Sequence, residues 1–136
     1  MIRMLEGARA LAAEFDDFIV DVWGVVHDGE RPFDGVVDAL DRLARSGKRV
    51  LFVTNTSRAA AEVIASLVHH MGIDRALFQD VVSSGDVTRA ALLGRDPRVF
   101  ASLPEAPRCF HYGSDAYVPW LAEVGLDLVD DLGEPG

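Results

Sequence analysis

The sequence has 136 residues, of which 49% are hydrophobic, and it carries a formal net charge of −9. This length suits one domain with a sizeable core, and the apolar content argues against intrinsic disorder. The negative charge argues against nucleic acid or an anionic membrane as a partner, because either would require a positively charged surface.

The N-terminal segment has the pattern of an amphipathic helix. Leu5, Ala8, Ala12 and Phe15 recur at helical spacing, with charged residues between them. The segment lacks the apolar core of a signal peptide. Because the single cysteine, Cys109, cannot form an internal disulfide, we expect a cytoplasmic protein.

Short apolar runs alternate with helical patterns along the rest of the chain. Buried strands are predicted at residues 18–22, 50–53, 81–83, 108–112 and 126–129. Helices are predicted between them, ending near residues 44, 71, 93 and 124. Residues 95–107 contain three prolines and are predicted to be irregular. This alternation predicts an α/β fold, with a parallel sheet covered by helices on both faces. We expect residues 18–22 at or near the centre of the sheet with residues 50–53 beside them, so that Asp21 and Thr54 are neighbours at one sheet edge.

Asp21 ends the first predicted strand, at the sheet edge where parallel α/β sheets bind ligands. A carboxylate after an apolar run is costly to bury unless it has a partner such as a metal ion or backbone amides. A turn in which the carboxylate accepts hydrogen bonds from nearby amides explains the residue equally well.

The second and third predicted strands end in hydroxyl and amide side chains that precede a helix. Thr54-Asn55-Thr56-Ser57 could bind an anion with help from the helix dipole, and ordinary N-capping explains the same residues. Ser84-Gly85-Asp86 repeats this arrangement after the third strand, and there Asp86 is interpreted as a helix cap.

The first two of these motifs resemble those of haloacid dehalogenase (HAD) superfamily hydrolases of subfamily IIA, the NagD-like phosphatases. Members of that subfamily carry Asp-x-Asp-Gly-Val-x-Trp-x-Gly, followed by Thr-Asn-x-Ser. This sequence has Asp21-Val22-Trp23-Gly24-Val25-Val26-His27-Asp28-Gly29, followed by Thr54-Asn55-Thr56-Ser57.

The resemblance implies a three-layer α/β/α Rossmann-like core, of which residues 1–136 are the N-terminal part. The family's cap domain, its later Lys and its Gly-Asp-x-x-x-x-Asp motif are not found in this sequence. We therefore expect residues 1–136 alone to be inactive as a phosphatase. We also expect exposed strand edges through which copies of the chain could form a homo-oligomer.

The resemblance also implies a role for each matching residue. Asp21 is the expected nucleophile, which would form an aspartyl-phosphate, and a ligand of Mg²⁺ together with the backbone carbonyl of Trp23. Thr54 is expected to bind the phosphoryl group of a small phosphorylated substrate, with Asn55 beside it.

The sequence departs from the family pattern at the residue expected to move protons. Trp23 stands where the family has its second Asp, the general acid/base, and an indole cannot shuttle protons. His27 stands where the family has Trp, and it is the candidate proton donor because imidazole titrates near neutrality.

Two other functions are therefore kept open. A non-catalytic protein that binds phosphorylated ligands or other partners, and that retains the HAD fold, is the alternative to an enzyme. A phospho-accepting receiver is suggested by Asp16-Asp17 near Asp21. It fits less well, because receivers place paired acids after their first strand and these two residues precede it.

Overall fold

The computed structural model describes residues 7–105 and 107–130 of the chain. They belong to two compact units, Met1–Asp86 and Val87–Gly136. Each unit contains its own parallel sheet, which confirms the predicted α/β class. The predicted N-terminal helix begins at Leu5, which lies outside the described residues. Within the described ranges, no helix is long and apolar enough to cross a membrane.

The first unit is built on a three-stranded parallel sheet. Its strands, in spatial order, are β1 (Asp17–Asp21), β2 (Arg49–Thr54) and β3 (Asp80–Ser83). Its helices are α1 (Ala8–Glu14), α2 (Val36–Arg45), α3 (Ala60–Ala65), a π-helix that continues α3 (Ser66–His70) and a 3₁₀ turn (Arg75–Leu77). Strands and helices alternate along the chain, as the sequence pattern predicts.

The second unit contains a two-stranded parallel sheet. Its strands are β4 (Arg108–Phe110) and β5 (Asp127–Val129). The remaining helices of the described residues are α4 (Ser84–Leu93), α5 (Pro97–Phe100), a 3₁₀ turn (Asp115–Tyr117) and α6 (Val118–Glu123).

The short helix α5 corrects the prediction that residues 95–107 are irregular throughout. Pro97 stands in the first turn of this helix, where a missing N–H removes no intrahelical hydrogen bond. The side chain of Asp96 accepts a hydrogen bond from the backbone N–H of Arg98 at 2.8 Å and so caps the helix. A proline-rich stretch therefore contains one helical turn.

The prediction that the first strand lies at or near the sheet centre is wrong for the described strands. β2 is the middle strand, and β1 pairs with it along one edge. Ile19, in the middle of β1, is 76% exposed. A short apolar run gives the same sequence signal in an edge strand as in a central one, so the pattern could not separate the two positions.

One face of the three-stranded sheet carries the core of the first unit. Val50 and Phe52 alternate with more exposed residues along β2, as the twofold period of a strand requires. Phe52 packs against Phe78 with ring centroids 5.0 Å apart. The buried cluster comprises Val22, Val26, Leu40, Val50, Phe52, Val63, Leu67, Ile73, Phe78 and Val81. Because Val22 and Val26 belong to this cluster, the loop after β1 is anchored in the core.

Candidate functional site

Asp21 and Thr54 lie at the carboxyl ends of neighbouring strands. In the parallel register Asp21 pairs with Val53, so Thr54 is the next residue on the adjacent strand. Adjacent strands lie about 4.8 Å apart, and the predicted proximity of the two residues at one sheet edge is therefore confirmed. Their side chains belong to opposite faces, since Asp21 is exposed whereas Thr54 is only 6% exposed. A group in contact with both must lie beyond the strand ends.

The Asp21 carboxylate has one hydrogen bond among the described residues. Its Oδ1 atom accepts from the backbone N–H of Val22 at 2.8 Å. This is the kind of bond to a nearby amide that the turn interpretation predicts. The Oδ2 atom is left available to a ligand, so the local bond and a chemical role are compatible.

A tight loop follows Asp21. The backbone N–H of Val26 donates to the carbonyl of Val22 at 2.8 Å, and the N–H of Gly24 donates to the carbonyl of His27 at 2.8 Å. Gly24 has φ +80°, a left-handed conformation that favours glycine. Within the described residues, the carbonyl of Trp23 accepts none of the hydrogen bonds that close this loop.

Two oxygen atoms at the end of β1 could supply part of the coordination shell of a magnesium ion. The Asp21 carboxylate and the Trp23 carbonyl are the oxygen types that Mg²⁺ prefers. The described residues contain no group of three or more His, Cys, Asp or Glu side chains arranged to hold a metal. The two oxygens expected to bind Mg²⁺ are thus of a suitable chemical type, and no such cluster of side chains accompanies them in the described residues.

His27 is buried in the loop after β1, with 9% of its surface exposed. Its Nδ1 atom accepts a hydrogen bond from the backbone N–H of Gly29 at 2.9 Å, which assigns the ring proton of the neutral form to Nε2. Burial lowers the pKa of His27, and the nearby Asp28 carboxylate partly opposes this effect. The ring is therefore mainly neutral at neutral pH.

A cavity of about 260 Å³ lies beside the ends of β1 and β2. Its walls come from the two loops and from the α3 region, namely Val22, Trp23, His27, Gly29, Thr54, Thr56, Arg58, Val63, Ser66, Leu67 and Met71. The cavity brings three predicted site residues together, Trp23, His27 and Thr54. The other two, Asp21 and Asn55, are not among its described lining residues.

Two polar wall residues, Arg58 and Ser66, were not anticipated from the sequence. Arg58 lies in the bend before α3 and forms an ion pair with Glu62 at 3.2 Å. Its place directly after Thr54-Asn55-Thr56-Ser57 was the available signal. Ser66 begins the π-helix, in which the N–H of Met71 donates to its carbonyl at 3.1 Å. The apolar pattern of residues 64–71 does not distinguish a π-helix from an α-helix.

Asp86 is a helix cap, but for a different helix from the one that the sequence indicates. Its carboxylate accepts a hydrogen bond from the backbone N–H of Ala60, the first residue of α3, at 2.8 Å. The start of α4 is capped by Ser83, whose hydroxyl accepts from the N–H of Asp86 at 3.1 Å. The predicted capping role is therefore correct in kind, and its target lies 26 residues earlier.

Asp16 and Asp17 lie at the opposite end of β1 from Asp21. Lys48 Nζ contacts Asp16 Oδ1 at 2.7 Å, and Arg49 Nη2 contacts Asp17 Oδ2 at 2.7 Å. The Arg49 guanidinium lowers the pKa of Asp17 through this hydrogen bond. These two acids are thus ion-paired at the amino end of the sheet and do not join Asp21 in an acidic cluster of the receiver type.

Comparisons with known proteins agree on one family. A family model described as haloacid dehalogenase-like hydrolase matches residues 18–127. Rat (Rattus norvegicus) chronophin is 32% identical over 133 residues, which cover 96% of this chain and 42% of that protein. D-glycerol 3-phosphate phosphatase of Mycobacterium tuberculosis is 30% identical, covering 87% of this chain and 30% of that protein.

A solved haloacid dehalogenase-like hydrolase from Brucella suis 1330 has the same fold. Its TM-score is 0.69 at 32% sequence identity, and the match covers 97% of this chain and 45% of that one. The chain therefore spans less than half the length of the relatives that it matches.

Proposed function

This chain belongs to the haloacid dehalogenase-like hydrolase family, and from that membership we propose that the complete protein is a Mg²⁺-dependent phosphatase of subfamily IIA. The main observation behind this proposal is the strand register, which pairs Asp21 with Val53 and so places Asp21 next to Thr54, the last residue of β2. The relative named D-glycerol 3-phosphate phosphatase supports a small phosphate ester as the substrate class. A cytoplasmic location and a homo-oligomer stay predictions.

In the proposed reaction, an oxygen of the Asp21 carboxylate attacks the phosphorus of the ester. The phosphorus–oxygen bond to the ester group breaks, and the leaving oxygen departs as an anion with the electron pair of that bond and then takes a proton from water. Water then attacks the aspartyl-phosphate, which releases inorganic phosphate and regenerates Asp21. Mg²⁺ held by Asp21 and the Trp23 carbonyl would neutralise charge on the phosphoryl oxygens.

Thr54 and Asn55 are proposed to bind the phosphoryl group through their hydroxyl and amide donors. Thr54 is buried at the end of β2, where packing fixes its backbone, and it lines the cavity. Donors held in place before the reaction stabilise developing charge without reorganisation. Residues 1–136 alone are expected to lack turnover, because two protein oxygens hold Mg²⁺ weakly.

Proton transfer is the weak step of this chemistry. Trp23 replaces the family's acid, and its indole cannot donate a proton to the leaving group. A neutral imidazole is also a poor acid, so His27 would donate only in the minor protonated form that its lowered pKa allows. The proposed enzyme therefore favours substrates whose leaving groups depart as stable anions.

The same observation favours the second candidate, a non-catalytic protein that binds phosphorylated ligands. Such a protein needs the anion-binding residues near the ends of β1 and β2 and has no need of a proton donor. Its expected behaviour is binding of inorganic phosphate or a phosphate ester without release of product.

Turnover by the complete protein separates the two functions. Phosphate release from 4-nitrophenyl phosphate with Mg²⁺ would be measured for the parent, for Asp21→Asn and for Asp34→Asn. Asp34 is an exposed aspartate in the loop before α2 and serves as the matched control. We expect turnover to be lost in Asp21→Asn and kept in Asp34→Asn, because an amide is a poor nucleophile and a poor Mg²⁺ ligand.

Equal rates for Asp21→Asn and the parent would exclude Asp21 as the nucleophile. A parent that binds phosphate in a titration and releases no product would support the binding protein instead.

A further inference from the structure

The start of α4 is tied to the loop between β2 and α3, residues 55–59, hereafter the phosphate loop. The hydroxyl of Ser84 donates to the carbonyl of Thr56 at 2.9 Å. The backbone N–H of Gly85 donates to the same carbonyl at 3.0 Å. The Asp86 carboxylate accepts from the N–H of Ala60 at 2.8 Å. Three consecutive residues thus hold both the middle and the far end of the loop.

Gly85 lets the two backbones approach this closely. A Cβ atom added to Gly85 would lie 2.1 Å from the carbonyl oxygen of Ser57 and 2.6 Å from its carbonyl carbon. Gly85 does not have the positive φ seen at several other glycines, so the requirement here is space. Any larger residue would push the start of α4 away from the phosphate loop.

These contacts exceed what the start of α4 requires for its own stability. Ser83 already caps this helix through the N–H of Asp86. The Asp86 carboxylate and the Ser84 hydroxyl therefore form hydrogen bonds with the neighbouring segment and not within α4. Two donors on one carbonyl orient the peptide between Thr56 and Ser57, and since that peptide is planar and trans, the direction of the Ser57 N–H is fixed as well.

We propose that Ser84-Gly85-Asp86 is a positioning element for phosphate binding, a role that rests on the function proposed above. It holds the phosphate loop in the conformation that places Asn55 against the phosphoryl group, beside Thr54 at the end of β2. A loop that populates this conformation only part of the time binds phosphate more weakly in the same proportion. Loss of the element should therefore lower phosphate affinity as well as stability.

The test uses Asp86→Ala in the complete protein, with Asp74→Ala as the matched control. Asp74 also accepts a hydrogen bond from a backbone N–H at a helix start, but only within its own turn, from Ala76 at 2.9 Å at the start of the 3₁₀ turn Arg75–Leu77. Inorganic phosphate is the probe, titrated as a competitive inhibitor and by ³¹P NMR. We expect Asp86→Ala to weaken phosphate binding about 5-fold or more, on the scale of a lost cap, and Asp74→Ala to leave it unchanged.

Two further variants keep the test sharp if Asp86→Ala folds poorly. Asp86→Asn retains an oxygen that can accept from Ala60 and should restore most of the affinity. Ser84→Ala removes one of the two donors on the Thr56 carbonyl from an exposed residue and should show a smaller loss. Hydrogen exchange of the amides of the phosphate loop should accelerate in Asp86→Ala and not in Asp74→Ala.

The outcomes that overturn the inference are distinct from those that overturn the function. If Asp86→Ala and Asp74→Ala lower the melting temperature alike and neither changes phosphate affinity, Asp86 is only a helix cap. If Asp86→Asn is as weak as Asp86→Ala, hydrogen bonding to Ala60 is not what positions the loop. A parent that neither binds phosphate nor turns over substrate overturns the proposed function, and this role with it.

Discussion

Gly85→Ala tests the close contact between α4 and the phosphate loop through stability alone. The new Cβ atom would lie 2.1 Å from the Ser57 oxygen, about 1.3 Å short of an ordinary contact at 3.4 Å. Separating the segments by that amount breaks the bond of 3.0 Å from the Gly85 N–H to the Thr56 carbonyl. Overpacking costs about 1–3 kcal/mol and the lost hydrogen bond about 1 kcal/mol, while alanine regains up to about 1 kcal/mol of helix propensity. We expect a net loss of roughly 2 kcal/mol.

The measurement is urea unfolding of the purified chain, followed by far-ultraviolet circular dichroism. Gly94→Ala, just after the other end of α4, is the control. Its added Cβ would lie 3.1 Å from the carbonyl oxygen of Ala90, a contact that a shift of a few tenths of an ångström relieves. Its free energy of unfolding should stay within about 0.5 kcal/mol of the parent. A Gly85→Ala variant as stable as Gly94→Ala would refute the contact on which the positioning role depends.

Two further predictions concern protons. Without a general acid, the complete protein should hydrolyse 4-nitrophenyl phosphate about 10²–10⁴-fold faster than glycerol 3-phosphate. The Trp23→Asp variant should reduce this ratio of rates. Comparable rates on the two substrates in the parent would mean that another residue supplies the proton. Burial lowers the pKa of His27 below 6.5, so the unfolded chain binds this proton more readily. The stability that the neutral ring contributes is present above pH 6.5 and should be lost as the pH falls from there through the lowered pKa. Thermal melts across this range should show a steeper decline for the parent than for His27→Gln, and parallel curves would contradict the assignment.

Local sequence patterns predict most of the secondary structure, and they fail where the structure of a segment depends on the segments that pair or bond with it. The alternation of Val50 and Phe52 with more exposed residues identifies β2, and Gly47 marks the end of α2 through its positive φ of 71°. The edge position of β1 among the described strands depends on which strands pair with it, and the sequence of β1 itself does not specify its partners. The π-helix after α3 differs from an α-helix only in the spacing of its backbone hydrogen bonds, and the pattern of apolar residues is the same for both.

The residues of the candidate site likewise fall into those that the sequence predicts and those that it does not. The rule that parallel strands present their carboxyl ends at one edge is enough to bring Asp21 and Thr54 together. The partner of Asp86 could not be predicted, because Ala60 is 26 residues away and any backbone N–H at a helix start would serve. Arg58 was overlooked for a similar reason, since its ion pair with Glu62 is the pattern of an ordinary exposed helix pair.

The presence of Trp23 at the position of the family's second Asp does not by itself exclude catalysis. General acid catalysis contributes about 10²–10⁴-fold, which is roughly 3–5 kcal/mol of the activation barrier. Enzymes accelerate the hydrolysis of phosphate monoesters by up to about 10²¹-fold, and most of that comes from positioning and charge neutralisation. In the function proposed above, Thr54 at the end of β2 and the phosphate loop held by Ser84-Gly85-Asp86 would contribute to that larger share. A protein that maintains this positioning and lacks only the acid can therefore remain a phosphatase, slower on alkyl esters and slower to release its aspartyl-phosphate.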